Sequence, residues 1–217
     1  MPRLKDAKGV RAILDGLAAL YPEADCELRW QDPFQLLVAT ILSAQCTDVR
    51  VNLVTPEVFR RWPDARALAR ARPAEVERVI QSTGFFRNKA KSLLGMARML
   101  VEKHGGKVPR TMEEMLELPG VARKTANVVL GTAYGIATGV VVDTHVHRLS
   151  RRLGLTRRDD PKKIELDLMK KVPEEQWIAF GHRVIWHGRR VCDARNPRCE
   201  ACVVNDLCPS SRVNSMP

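Results

Sequence analysis

Apolar residues recur every three to four positions through Val10 to Leu20, Phe34 to Leu42, Ala65 to Leu68, Ala74 to Ile80, Ala90 to His104 and Met112 to Leu116. That spacing lays one side of a helix against a core. Further helices are expected over about Arg123 to Ala133, Thr144 to Leu153, Lys162 to Lys170 and Glu174 to Val191. Asp32-Pro33 places a capping side chain before a proline suited to the first helical position, and Gly105-Gly106 supplies permissive backbone where the fifth segment stops. Alternating strand patterns are nearly absent, and no heptad series, internal repeat or low-complexity tract appears. The predicted fold class is all-α.

Two stretches need a decision about membranes. The eighteen uncharged residues from Thr125 to Val142 reach the length scale of a span, but Asn127, Thr132, Thr138 and three glycines break the apolar character. A buried helix followed by a glycine-broken loop is the expected outcome. The N-terminus carries Arg11 and Asp15 within its apolar pattern, which describes an amphipathic helix and not a signal peptide. A cytoplasmic, nucleoid-associated protein with no membrane partner is expected.

With 217 residues and 45% hydrophobic content the chain can bury one generous core or two modest ones. Thirty-six Lys and Arg against twenty-five Asp and Glu leave a net charge of +11, which points to a polyanionic partner, with a merely solvated basic surface as the alternative. Aromatics at 5% are too few for a platform that stacks successive bases of a single strand, so contact with duplex backbone is favoured.

Two motifs carry chemistry. Cys192, Cys199, Cys202 and Cys208 form a C-x6-C-x2-C-x5-C run within seventeen residues, short enough for four thiolates to converge. Only Cys199 and Cys202 make the short pair of a structural zinc site, so a 4Fe-4S cluster fits best, with zinc or two disulfides as alternatives. His182 and His187 lie near the first thiol but are not needed as ligands, and Cys26 and Cys46 read as plain buried small residues. The second motif is Leu118 to Ala126, a tight connector between a helix ending near Glu117 and one opening near Arg123. Pro119 stops the first helix, Gly120 permits a positive-φ turn, and the amides of Val121 to Arg123 are expected to lack helical partners and to face a phosphate.

LSAQCTD at 42–48, LPGVARKTANVVL at 118–130, VVDTHVHRL at 141–149 and the cysteine run, in this order, resemble the endonuclease III family of DNA glycosylases with an associated lyase activity. The resemblance spans nearly the whole chain. It implies a helical barrel with a helix-hairpin-helix over 25–137, and a smaller helical domain around a 4Fe-4S cluster built from 1–24 and 138–217, with DNA in the cleft between them. It also implies double-stranded DNA carrying a damaged pyrimidine or abasic site as partner, a monomeric enzyme, and a cluster used for shape and charge.

The resemblance places the amine nucleophile at Lys124 and the catalytic aspartate at Asp143. A lysine of pKa about 10.4 is neutral only about once in 2,500 molecules at pH 7, so an attacking amine needs its pKa lowered. The helix N-terminus, Arg123 and partial burial are the expected causes. Asp143 is also placed to cap the following helix, which suits a fixed negative charge beside the sugar cation formed as the glycosidic bond breaks. Gln45 and Phe85 match the residues that fill the hole left by a flipped base, and of Phe85 and Phe86 at least one ring should be core.

Leu118, Gly120, Val121, Ala122, Arg123 and His145 join the expected DNA contacts, as do Arg195 and Arg198 beside the cysteine run. The chain departs from the family pattern at Ala122, commonly glycine, and at Phe85, often leucine. Two rival readings remain: a monofunctional adenine glycosylase, which lacks the lysine and carries a further domain after the cluster, and a non-enzymatic DNA-bound redox sensor.

Overall fold

The computed structural model describes residues 4–213. Among them eleven α-helices form and no strand: α1 (Ala7–Leu20), α2 (Pro33–Leu42), α3 (Asp48–Arg61), α4 (Ala65–Ala69), α5 (Pro73–Ile80), α6 (Phe86–His104), α7 (Met112–Glu117), α8 (Arg123–Tyr134), α9 (Thr144–Arg152), α10 (Pro161–Met169) and α11 (Trp177–Arg190). The all-α expectation holds, and no helix among the described residues is long and apolar enough to cross a membrane. The uncharged run from Thr125 resolves into most of α8 and a loop beginning at Gly135, whose φ of 67° ends the helix.

Local capping explains most boundaries. Side chains of Asp6, Asp32, Thr47, Asp64, Thr111, Asp143 and Asp160 each accept from a first-turn amide of the helix they precede, satisfying donors that a helix start leaves orphaned. α5, α6, α8 and α11 have no such cap; Arg123 and Lys124 lie in the first turn of α8, and Phe85 immediately precedes α6. Gly105 closes α6 in the left-handed region, and the Gly106 amide reaches back to Leu100 O at 2.8 Å.

The chain divides into two compact units, Cys26–Thr138 and Met1–Asp25 with Gly139–Pro217. The first holds α2 to α8 around one apolar core in which Leu36, Leu37, Val51, Leu68, Leu93, Met96, Met115 and Leu130 are fully enclosed. α2 is buried almost all round, which is why its residues show no polar face. The second unit packs α1 and α9 on α11, burying Ile13, Leu17, Leu149, Phe180 and Val184.

α3 is a helix that the apolar periodicity did not indicate. Val49, Val51 and Leu53 alternate as a strand would, and Pro56 sits inside the helix where its missing N–H leaves one bond unmade. Burial settles the period: Val51, Val54 and Val58 face the core while Val49 and Leu53 are exposed. Cys26 and Cys46 also differ from expectation, being only partly buried at the rim of the core.

Candidate functional site

The hairpin between α7 and α8 is built by steric necessity at one glycine. Gly120 has φ +79°, and a Cβ there would come within 2.5 Å of Ser92 Cβ and 2.8 Å of Ser92 Oγ on α6. No other residue satisfies both the left-handed backbone and the close approach. Ala122, in contrast, is extended at φ −94°, ψ 169°, so its methyl group causes no backbone strain. The expectation of free amides from Val121 onward needs correction, because the Val121 amide closes a turn onto Leu118 O at 3.1 Å. Leu118 and Val121 have buried side chains, which leaves them only backbone atoms to offer a ligand. Arg123 Nη2 donates to Thr138 O at 3.4 Å, tying the start of α8 to the loop after it.

Lys124 lies in the first turn of α8 with its side chain exposed. The partial burial expected for it is therefore absent. What the fold does supply is an amine at the positive end of a helix whose first turn receives no side-chain cap.

Gln45 and Phe85 share an unusual backbone. They are the two non-glycine residues with positive φ among the described residues, at 52° and 46°. Both are exposed, Phe85 by 63%, while the adjacent Phe86 packs against the core as expected of one of the two rings. Left-handed backbone costs a side-chain-bearing residue roughly 1–2 kcal/mol, so two strained, solvent-facing tips mark positions shaped for something other than stability.

In the other unit Asp143 is the cap of α9. Its Oδ1 accepts from His145 N at 2.9 Å and Val146 N at 2.8 Å, and Oδ2 makes no bond among the described residues. His145 is half-buried against Gly188, where its Nδ1 meets Arg148 Nη2 at 3.2 Å. Burial pushes its pKa below the ordinary histidine value, with Asp143 pulling back up and Arg148 and Arg189 adding to the fall.

The four cysteines of the run line one cavity of about 170 Å³, together with His187, Arg152 and Arg198. All six cysteines of the chain are free of disulfides. The cavity is roughly ten times the ~10–15 Å³ that a single water needs. Four thiols around a space of that size fit a polynuclear cluster. Burial pushes Cys202 up to about 11 and Cys208 upward, and the neighbouring cysteines add to both rises. A bound iron–sulfur cluster supplies the positive charge that keeps such crowded sulfurs deprotonated.

Arginines and one histidine hold the cysteine loop in place. Arg152 donates to Cys192 Sγ at 3.3 Å and to Asp193 O and Ala194 O at 2.7 Å each, while Arg148 reaches Gly188 O and Cys192 O. His187, 1% exposed, has its pKa driven down to about 4 by burial and is neutral. Its single ring proton suits Cys202 Sγ at 3.3 Å, leaving Nδ1 to accept from Tyr21 OH at 3.1 Å. Arg195 and Arg198 are exposed, and Arg198 also donates to Arg190 O.

This geometry meets a consistent set of matches. Residues 38–174 match the model of the HhH-GPD superfamily of base excision DNA repair proteins, and residues 192–208 match the iron–sulfur binding domain of endonuclease III. The chain belongs to the endonuclease III family. Endonuclease III of Synechocystis sp. is 60% identical over 202 residues, covering 93% of this chain and 92% of that protein. A solved non-covalent endonuclease III–DNA complex superposes with a TM-score of 0.92 at 42% identity, covering 97% of this chain and 99% of its own. A trapped endonuclease III–DNA covalent intermediate gives the same TM-score at 41% identity, over 98% and 100% of the two chains. The chain is thus a base-excision repair enzyme, a DNA glycosylase and abasic-site lyase with a 4Fe-4S centre.

Several residues of this family member escaped the sequence reading. A hollow of about 470 Å³ beside the hairpin turn is lined by Arg87, Lys91 and Arg98 of α6 with Glu77, Ser92 and Pro119. Their spacing of four and seven along one helix was the available signal. Arg148 and Arg152, four apart on α9, carried the same signal.

Proposed function

We propose that this enzyme removes oxidised or otherwise damaged pyrimidines from duplex DNA as a monomer in the cytoplasm, at the nucleoid. Lys124 Nζ attacks the sugar carbon that carries the base, the base departs, and an imine joins lysine to the opened sugar. The imine acidifies the adjacent C–H. Loss of that proton expels the 3′ phosphate by β-elimination and nicks the strand, so one amine serves both steps. Asp143 stands as a fixed negative charge for the sugar cation, its orientation set by the two amides it caps. Gln45 and Phe85 enter the duplex where the damaged base leaves it. The Gly120 turn and the start of α8 receive phosphate, with Ala122, Arg123, His145, Arg195 and Arg198 as further contacts.

The observation that carries this reading is Lys124 itself: an exposed primary amine in the first turn of an uncapped helix, directly after a turn that only glycine can make. Lys124→Ala should abolish both base release and nicking on a thymine-glycol duplex, and borohydride should trap the wild-type protein on an abasic site. Strand cleavage at normal speed by Lys124→Ala, or no trapped adduct with wild type, would overturn it.

A further inference from the structure

One buried cation has no place in the chemistry described so far. Lys89, in the first turn of α6, is 5% exposed, and its ammonium faces no carboxylate among the described residues. Its Nζ donates instead to two backbone carbonyls, Leu42 O at 2.8 Å and Thr83 O at 2.7 Å. Burial pushes its pKa below the ordinary lysine value, with Cys46 opposing the shift. A buried ammonium is costly to keep, so the two carbonyls it holds deserve an account.

Each carbonyl sits just before one of the strained tips. Leu42 is the last residue of α2, three before Gln45, and no basic residue of α2 itself serves that helix end. Thr83 closes a short 3₁₀ turn over Gln81–Thr83, two before Phe85. The tips cannot hold themselves. Gln45 and Phe85 point into solvent, so their own side chains make little packing that could oppose relaxation out of the left-handed region. Strain of this kind persists only where the surroundings over-determine it. The Lys89 ammonium bonds to both segments at once, with three donors and a negative helix end beneath one of them.

We infer that Lys89 is a positioning residue that ties the Gln45 turn to the Phe85 turn, keeping both at a fixed separation before DNA arrives. This rests on the reading of Gln45 and Phe85 as the residues that enter the duplex. The two turns are 40 residues apart in the chain, and without the tie each relaxes independently. The ordering of both tips then has to occur during base extrusion and slows that step, while the chemistry at Lys124 is untouched.

The test compares holo wild type with holo Lys89→Met, which keeps side-chain length and removes the donors. Single-turnover release of thymine glycol is measured in two duplexes, one with the lesion stably paired and one with it in an unpaired bulge where extrusion is already accomplished. Lys89→Met should slow release from the paired duplex roughly tenfold to a hundredfold while leaving the bulged duplex little changed. Equal loss on both duplexes would mean a merely structural lysine, and no loss on either would mean no tie; both overturn the inference. Wild type failing on both duplexes would instead remove the proposed function beneath it.

Should Lys89→Met not fold, amide exchange in the wild type decides. The amides of Ala44, Cys46 and Gly84, bonded to Ile41 O, Ser43 O and Gln81 O, should exchange as slowly as the adjoining helix ends. Exchange at the rate of an unstructured loop would overturn the tie.

Discussion

Gly120→Ala is the sharpest perturbation of the hairpin, because two separate costs can be worked out for it. Alanine at φ +79° loses about 1 kcal/mol relative to glycine from backbone conformation alone. The new methyl would also lie 2.5 Å from Ser92 Cβ and 2.8 Å from Ser92 Oγ, closer than carbon atoms approach. Neither partner is the free end of a long side chain, so the turn or α6 must shift, adding about 1–3 kcal/mol of overpacking. The sum is about 2–4 kcal/mol, or a fall in Tm of roughly 4–16 °C for a chain of this size. Urea denaturation followed by circular dichroism on cluster-loaded protein measures it.

The companion variant separates the two costs. Ser92→Gly removes both clashing atoms at about 0.5 kcal/mol of helix propensity, so in that background Gly120→Ala should cost only the backbone share, about 1 kcal/mol. A double-mutant cycle should therefore show about 1–3 kcal/mol of coupling between positions 92 and 120. Gly120→Ala within about 0.5 kcal/mol of wild type, or a cycle with no coupling, would refute the reasoning.

Three further variants probe the rest of the site. Ala122→Gly relieves no strain, since the residue is extended, so the salt slope of DNA binding should be unchanged; a clearly steeper slope would contradict the backbone geometry. Asp143→Asn keeps an equally good cap and removes the charge, so thermal stability should hold while single-turnover base release drops about 10²–10³-fold; an unimpaired rate would reduce Asp143 to a cap. Phe85→Gly removes the left-handed penalty and the ring together, so it should stabilise the protein by about 1 kcal/mol yet slow excision of a stably paired lesion; loss of stability in denaturant titrations would mean the ring packs more than its exposure implies.

Much of this chain was legible because its signals are local. Asp32 and Asp143 cap the helices they precede through bonds spanning two or three residues, and Gly105 ends α6 by its own backbone freedom. The cysteine spacing confines four thiols to one short loop, and the hairpin is written in consecutive residues. What the tertiary structure alone decided involves partners far apart in the chain. Ser92 makes Gly120 irreplaceable from 28 residues away, and Lys89 reaches Leu42 across 47. Core burial chose the helical period for α3 over the strand-like alternation of its valines. Nothing in the local preferences of glutamine or phenylalanine predicts a left-handed backbone at 45 and 85. Residues a few positions apart interact whatever the fold, whereas distant ones meet only once the core has brought their helices together.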